Sequence, residues 1–462
     1  MQEERLQSER MGTMPEGKLL LSMAVPMMLS MLMQALYNIV DSVYVSHVSE
    51  DCLTALSLAF PAQNILIGLA TGTGVGVSAL VSRALGRDDR KNANRVAGNA
   101  IMLCFVMWAL MAAFGLFFAR SFIHSQTTDP VIRAYGDSYL RIVTIGSLFV
   151  YFEITFQRLL QSTGCTKEAM WAQITGAVAN IVLDPFLIYG WCGLPAMGTA
   201  GAAIATVIGQ ALGATVGFTF NRRRNTDLHV TWANLRPDKH IIGEIYKIGL
   251  PSILMMCVSS VTNYIMNNIL IAFSATAVAV LGAYFKLNSF FFMPVFGLNN
   301  AFVPVVGYNF GAGKEKRVRR SYQYAVLYAL VLMSFGSVVF ELCPKLLLGF
   351  FSASDAMLAI GVPALRIIGT FFPIAAFGIV TCSLCQALGR SGLSLIVSIM
   401  RQFAALVPSA LLLARTGNVN NVWWCFLIAE FISAICCIFF YRITMRDMSR
   451  QICKNGGAAH NA

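Results

Sequence analysis

The sequence predicts an all-α membrane protein of twelve transmembrane helices, arranged as two six-helix lobes related by a pseudo-two-fold axis along the membrane normal. Hydrophobic residues make up 57% of the chain, charged residues only 12%, and the mean hydropathy is +0.66. Apolar runs of about 20 residues, long enough to cross a hydrocarbon core about 30 Å thick, recur along almost the whole chain. Paired motifs also recur at one constant spacing. This pattern leaves little room for a soluble domain.

Twelve apolar runs, delimited by polar interruptions, are the predicted helices. They cover residues 19–44, 53–82, 97–119, 134–158, 169–190, 197–220, 242–272, 276–308, 321–343, 357–386, 392–414 and 420–441. The stretch before the first run is polar and that run exceeds twenty residues, so we expect no cleaved signal peptide.

An internal repeat divides the chain into two similar halves. Four pairs of residues are each 225 positions apart (251 minus 26, for example): Pro26 and Pro251, Gly86 and Gly311, Gln161 and Gln386, Gly164 and Gly389. Because six helices return the chain to the side it entered, both halves have the same orientation, which places the axis along the membrane normal. The sequence predicts an N-lobe at 1–220, a cytoplasmic linker at 221–240, and a C-lobe with a basic cytoplasmic tail at 241–462.

The basic residues predict the orientation in the membrane. Of the 34 Lys and Arg residues, only four fall in loops on the less basic side, namely Arg120, Arg133, Lys345 and Arg415. By the positive-inside rule, both termini and the linker are cytoplasmic. The net charge of +12 therefore indicates topology and contact with anionic membrane lipids, and we expect no nucleic-acid partner.

Two aspartates lie inside predicted helices at matched depth in the outer half of the N-lobe. Asp184 is in "ANIVLDPFLIYG" of the fifth helix, and Asp41 is in the first. Asn180 and Tyr37 each lie four residues before one of these acids, on the same helix face. Pro185 cannot donate to the carbonyl group one turn earlier, which bends the helix and leaves an acceptor beside the acid. These features predict a site for a proton or a small cation.

A polar residue in a membrane bundle often serves only as an interhelical contact. A carboxylate at the bilayer centre, however, costs at least about 2.5 kcal/mol by insertion scales, which favours a functional role for a matched pair of acids.

Other intramembrane charges are weaker candidates. Arg401 and Glu430 lie at one depth and are predicted to pair, for packing alone.

Two further charges have alternative interpretations. Lys286 is either a second titrating group or a structural partner of an acid. Glu153 either lines the N-lobe cavity or meets Arg158 one turn away. The five His and twelve Cys residues form no metal-binding spacing, and no catalytic constellation is present, so we expect neither a metal site, Na⁺ excepted, nor an enzyme.

The segments "VPMMLSMLMQALYNIVDSVYVSHVSEDCLTALSLAFP", "GAVANIVLDPFLIYG" and "FKLNSFFFMPVFGLNNAFVPVVGYNFGA" resemble the multidrug and toxic compound extrusion (MATE) family, in its MepA-like bacterial branch. The resemblance spans nearly the whole chain. It implies two lobes in a V shape and a monomer in the bacterial cytoplasmic (inner) membrane. It also implies export of bulky, often cationic organic compounds and other amphipathic drugs against an inward flow of H⁺ or Na⁺, with no other cofactor.

The resemblance also implies roles for individual residues. The ion site would comprise Asp41, Asn180 and Asp184, with the hydroxyl group of Thr206 as a further candidate and Na⁺ as the one metal ion that could bind there. Pro26 matches the proline at which the first helix bends in the family. The seventh and tenth helices carry no acid, which argues against a carboxylate site in the C-lobe.

Two other functions fit parts of the pattern. A flippase for a lipid-linked oligosaccharide or precursor has a related architecture, but it would need a cationic cavity for a pyrophosphate. A receptor or channel would not require a doubled six-helix repeat.

Overall fold

The computed structural model describes residues 6–193, 195–351 and 354–459, and within these ranges the regular structure is helical. The first half contains α1 (Leu6–Thr13), α2 (Glu16–Ser46), α3 (Glu50–Gly86), α4 (Arg90–Phe117), α5 (Ala119–His124), α6 (Pro130–Ile145), α7 (Ser147–Ser162), α8 (Thr166–Tyr189), a 3₁₀ turn (Trp191–Gly193) and α9 (Thr199–Arg223).

The second half begins after a 3₁₀ turn at Trp232–Leu235. It contains α10 (Lys239–Ile271), α11 (Ala275–Gly311), α12 (Glu315–Leu342), α13 (Pro344–Gly349), α14 (Asp355–Gly369), α15 (Phe372–Ala387), α16 (Ser391–Ile399), a π-helix (Met400–Leu406), α17 (Val407–Ala414), α18 (Val419–Val422) and α19 (Trp424–Ala459). Ten spans of the described chain are long and apolar enough to cross a membrane, and two bent helix pairs bring the number to twelve. The predicted fold class is confirmed.

The helix bounds confirm the repeat. The first and last residues of α3, α4 and α7 are each 225 positions before those of α11, α12 and α15 (275 minus 50, for example). The capping residues repeat as well, since the side chains of Ser49 and Ser274 each accept a hydrogen bond of 3.1 Å from the backbone N–H three residues later. Serine caps of this kind fix where a helix begins.

The predicted fourth and tenth helices are each broken in two, which the sequence analysis did not anticipate. α6 and α7 meet at an angle of 47°, and α14 and α15 at 51°. At Gly146, between α6 and α7, a β-carbon would lie 2.5 Å from Val207 Cγ2, so glycine allows α9 to approach the bend. In the second pair, Pro373 lies in the first turn of α15, where its missing N–H breaks the hydrogen-bond ladder.

The eleventh span, predicted as one helix, contains the π-helix Met400–Leu406 between α16 and α17. Pro408 lies in the first turn of α17 and cannot donate a backbone hydrogen bond. The π-helix therefore ends just before a proline.

Glycines of α3 allow a close crossing between α3 and α10. A β-carbon at Gly76 would lie 2.3 Å from the carbonyl oxygen of Ile245, and one at Gly72 would lie 2.3 Å from Ile253 Cγ1, both on α10. Small residues at such crossings let two backbones approach closely.

The chain forms two compact units. Unit 1 comprises the described residues up to Thr13 and Leu29–Ile253, and unit 2 comprises Met14–Met28 and the described residues from Leu254 onward. α2 and α10 therefore each contribute residues to both units, and the two divisions, after Met28 and after Ile253, are again 225 positions apart.

The predicted linker packs onto unit 1. Asn99 of α4 accepts a hydrogen bond of 2.8 Å from the backbone N–H of Asp238, and Arg95 forms an ion pair with the Asp238 carboxylate. Ser8 of α1 donates to Asp227 through its hydroxyl group at 2.7 Å and its backbone N–H at 3.2 Å. The linker therefore has defined contacts along its length.

Candidate ion-binding site

The centre of the candidate site is one face of α8. Asn180 and Asp184 are one helical turn apart, and their side chains are buried, with exposed fractions of 3% and 0%. Pro185 lies inside the same helix. Because proline has no N–H, the carbonyl group of Ile181 loses its usual helical donor beside the acid.

A chain of polar contacts joins α8 to α9. The Nδ2 amide of Asn180 donates to Asp184 Oδ1 and to Thr206 Oγ1, each at 3.4 Å, and the Thr206 hydroxyl group donates to the carbonyl oxygen of Ala202 at 2.9 Å. The two 3.4 Å contacts are long for hydrogen bonds. They nevertheless bring Asn180, Asp184 and Thr206 together as predicted.

The two helices approach closely enough for these contacts because both are poor in side-chain bulk. A β-carbon at Gly209 of α9 would lie 2.7 Å from the carbonyl oxygen of Gly176 and 3.1 Å from Asn180 Cβ. The glycines therefore determine the distance between the two helices at the site.

Asp41 of α2 completes the predicted pair. Its side chain is half-buried, and it lies close enough to Asp184 for the two carboxyl groups to interact electrostatically. Tyr37, one turn earlier, interacts electrostatically with both acids. All of the residues predicted for the ion site except the prolines are thus in one cluster of unit 1.

Three buried oxygen atoms of the cluster accept no hydrogen bond from any residue that the structure describes. They are Asp41 Oδ1, Asn180 Oδ1 and Asp184 Oδ2. A buried polar atom without a partner is costly, which is why most such atoms in proteins are satisfied. Carboxylate and amide oxygens suit a hard cation, and a carboxyl group that takes up a proton becomes a donor. The residues therefore fit H⁺ or Na⁺ as a bound ion.

Sequence reasoning missed two members of this cluster. Tyr139 of α6, 3% exposed, interacts electrostatically with Asp41 and Asp184, and its hydroxyl oxygen accepts a hydrogen bond of 2.8 Å from Gln63 of α3. Gln63 was detectable as a polar residue inside an apolar run, whereas Tyr139 looks like an ordinary aromatic residue.

The weaker candidate charges have different surroundings. Arg401 Nη1 lies 3.2 Å from Glu430 Oε1, which confirms the predicted pair. Lys286 is exposed and forms no ion pair with the residues that the structure describes, so its role stays a prediction. Glu153 Oε1 accepts a hydrogen bond of 3.2 Å from Gln157 Nε2.

The repeat places no second acid pair in unit 2. The positions 225 residues after Asp41 and Asp184 are Met266, which is buried, and Ser409. The hydroxyl group of Ser409 donates to the carbonyl oxygen of Ala405 at 2.6 Å, within its own helical segment. The described part of unit 2 therefore lacks the counterpart of the candidate site.

A doubled set of six spans with carboxyl groups inside one unit defines a polytopic membrane protein with the features of a transporter. The MatE family model matches residues 26–186 and again 251–411, and both the starts and the ends of the two matches are 225 positions apart. The chain therefore belongs to the MatE family, whose members are transporters rather than enzymes.

Proteins of known name and structure are similar over almost their whole length. The chain is 24% identical to the multidrug export protein MepA of Staphylococcus saprophyticus, over 89% of this chain and 90% of the relative. It is 25% identical to MepA of Staphylococcus aureus, over 91% and 92%. A solved outward-facing multidrug resistance MATE transporter of the MOP superfamily is 26% identical, with a TM-score of 0.89 over 94% of this chain and 97% of that one.

Proposed function

We propose that the protein is a multidrug antiporter, which exports bulky, often cationic organic compounds in exchange for inward H⁺ or Na⁺ by alternating access. The names of the MepA relatives support the export of several drugs. The observation that carries the antiport is the pair of acids Asp41 and Asp184, whose enclosed oxygens Oδ1 and Oδ2 have no donor among the described residues.

Two negative charges at short range repel each other, and the apolar surroundings increase that cost. A proton or Na⁺ that arrives from the outside removes it. An ion that binds one conformation more tightly than the other shifts the equilibrium between the two conformations. Substrate is released in the outward-open state, and the ion is released inside.

Asn180 and Thr206 are proposed to complete the site around either ion. Na⁺ would take oxygen ligands from Asp41, Asp184, Asn180 and Thr206, while H⁺ would reside on a carboxyl group. Tyr37 lies within electrostatic range of both acids.

Two prolines are proposed to turn ion binding into a change of helix shape. Pro26 lies inside α2, two residues before the division between the units, and Pro185 lies inside α8 beside Asp184. Each interrupts one backbone hydrogen bond, so its helix bends at a lower cost than an uninterrupted helix would.

The protein is proposed to lie as a monomer in the bacterial cytoplasmic membrane, in contact with anionic lipids, with its linker and both termini in the cytoplasm. The terminal residues themselves lie outside the described ranges. The concentration of Lys and Arg at one membrane face supports this orientation. A flippase for a pyrophosphate-linked lipid is less well supported, because the cluster with unpartnered polar atoms in unit 1 carries two acids, Asp41 and Asp184, whereas a pyrophosphate needs cations.

Gradient-driven efflux in vesicles tests the proposal. Purified protein is reconstituted, and the export of ethidium, an organic cation, is followed with a pH gradient and an Na⁺ gradient imposed separately. Asp184→Asn conserves volume but cannot titrate, so we expect it to insert and bind ethidium while ion-driven efflux is lost.

Asp51→Asn is the matched control, since Asp51 is an exposed acid at the start of α3. It should export like the wild type. Wild-type efflux by a well-inserted Asp184→Asn variant, under whichever gradient drives the unmodified protein, would refute the coupling role.

A further inference from the structure

A second carboxyl group of unit 1, that of Glu153, is inserted between α8 and α9. A β-carbon at Gly213 of α9 would lie 2.7 Å from Glu153 Oε1, and one at Gly176 of α8 would lie 3.1 Å from the same atom. A side chain at either glycine would therefore compete with the carboxyl group for space. These two helices are shaped around an acid that α7 supplies.

Glu153 is connected to the ion site through both helices. Gly176, Asn180 and Asp184 follow one another at four-residue steps along one face of α8, and Thr206, Gly209 and Gly213 share a face of α9. Eight residues separate Gly176 from Asp184, which is about 12 Å of helix. In the predicted orientation, Glu153 lies on the cytoplasmic side of the ion site.

The groups that face Glu153 offer no compensating positive charge. Gln157 on its own helix donates one hydrogen bond, α8 and α9 present glycines, and Tyr37 of α2 is the titratable group that interacts with it electrostatically. No ion pair of Glu153 is found among the residues that the structure describes.

The other helices packed against α7 contact different residues. At α3, a β-carbon on Gly74 would meet the stem of Arg158, whose Nη1 donates to Gln161 Oε1 at 3.2 Å. At α4, the thiol of Cys104 contacts the hydroxyl group of Thr155 at 3.2 Å.

A carboxylate in a membrane-spanning segment without a cation is costly, and such residues mark proton pathways. An acid that served only to hold helices together could be replaced by an amide at no loss, because Gln also accepts a hydrogen bond from Gln157. The glycines at 176 and 213 show that the fold makes room for the acid. Tyr37 lies within electrostatic range of Glu153, Asp41 and Asp184, so the second acid and the ion site border the same residue.

We propose that Glu153 is a second proton-binding residue of the transport cycle, on the inner side of the Asp41–Asp184 site, which raises the number of protons exchanged for each substrate. The inference rests on the proposed antiport. Substrate binding and proton binding oppose each other in an antiporter, so the release of a proton from Glu153 accompanies the binding of a cationic substrate.

Proton counting tests this inference. Full-length protein in detergent is titrated with ethidium in weakly buffered solution, and the protons released per ethidium bound are measured with an indicator dye from about pH 5 to pH 9. We expect Glu153→Gln to bind ethidium but to release up to about one proton fewer, with one step missing from the pH profile. Glu168→Gln, which removes a carboxyl group from the first turn of α8, should match the wild type.

Glu153→Asp provides a second test, because it keeps a carboxyl group and should retain the wild-type proton count. The inference is wrong if Glu153→Gln gives the wild-type count and pH profile, or if Glu153→Asp loses the same proton as Glu153→Gln. Failure of the antiport itself is distinguishable, since the wild type would then show no ethidium efflux driven by either the pH gradient or the Na⁺ gradient.

Discussion

Gly209→Ala should uncouple transport without changing any charge. The added β-carbon would lie 2.7 Å from the carbonyl oxygen of Gly176, and this backbone atom cannot rotate away as a side chain would. Ordinary van der Waals contact begins near 3.4 Å, so α8 and α9 must separate by about 0.7 Å at this point.

That separation exceeds what the ion site tolerates. Asn180 Nδ2 is already 3.4 Å from Thr206 Oγ1, and a further 0.7 Å would take the pair to about 4 Å, beyond any hydrogen bond. Overpacking lowers the free energy of unfolding by about 1–3 kcal/mol, while replacing glycine by alanine inside a helix raises it by up to about 1 kcal/mol. We therefore expect a protein that still folds but whose site has lost the contact between α8 and α9.

The measurement compares thermal stability and ion-driven ethidium efflux of Gly209→Ala with those of Gly217→Ala. Gly217 is two turns further along α9, where a β-carbon would lie 3.1 Å from Phe156 Cβ and 3.8 Å from Ala172 Cβ, a smaller overlap than the 2.7 Å contact at Gly209. We expect strong loss of coupling in the first variant and little in the second. Wild-type coupling in Gly209→Ala, or equal loss in both variants, would show that the distance between the helices does not control the site.

Two further predictions concern the linker. Val230→Cys, in a background whose exposed cysteines are replaced by serine, should react with an impermeant maleimide only after cells are permeabilised. Labelling of intact cells would contradict the predicted cytoplasmic location of the linker. Burial raises the pKa of Asp227 despite the hydrogen bonds from Ser8, so docking of α1 should be strongest below the ordinary aspartate pKa and weaken as the pH rises through the raised value. Protease cleavage after Arg10 should accordingly increase with pH in the wild type, relative to an unfolded reference peptide, and Asp227→Asn should abolish that dependence.

The spans and their repeat could be predicted from the sequence because they depend on local composition. An apolar run of about 20 residues has few alternatives to a membrane helix. The constant spacing between the paired motifs can be found in the sequence without knowing which residues are in contact. The cluster around Asp184 was also predictable, because Asn180 shares its helix face by periodicity alone. Thr206, which lies on another helix, entered through family resemblance.

Features that depend on contacts between distant residues were not predictable. The break at Gly146 reflects the approach of Val207 from α9, and no local pattern distinguishes this glycine from those inside straight helices. The contacts of Glu153 with Gly176 and Gly213 were also not predictable, since nothing in the sequence distinguishes these two glycines from other glycines at helix crossings. Tyr139 was missed because burial beside an acid is not visible in an aromatic residue.

The repeat also allows the two acid positions to be compared with neutral residues at the equivalent positions of the second half. The spans that carry Asp41 and Asp184 have counterparts that carry Met266 and Ser409, and these counterparts are helical without a carboxyl group at either position, although the second includes the π-helix Met400–Leu406. A carboxyl group at these two positions is therefore not needed for a helical span. A neutral replacement that abolishes transport can consequently be attributed to lost function, and the other half of the same chain indicates which replacements the helices already accommodate.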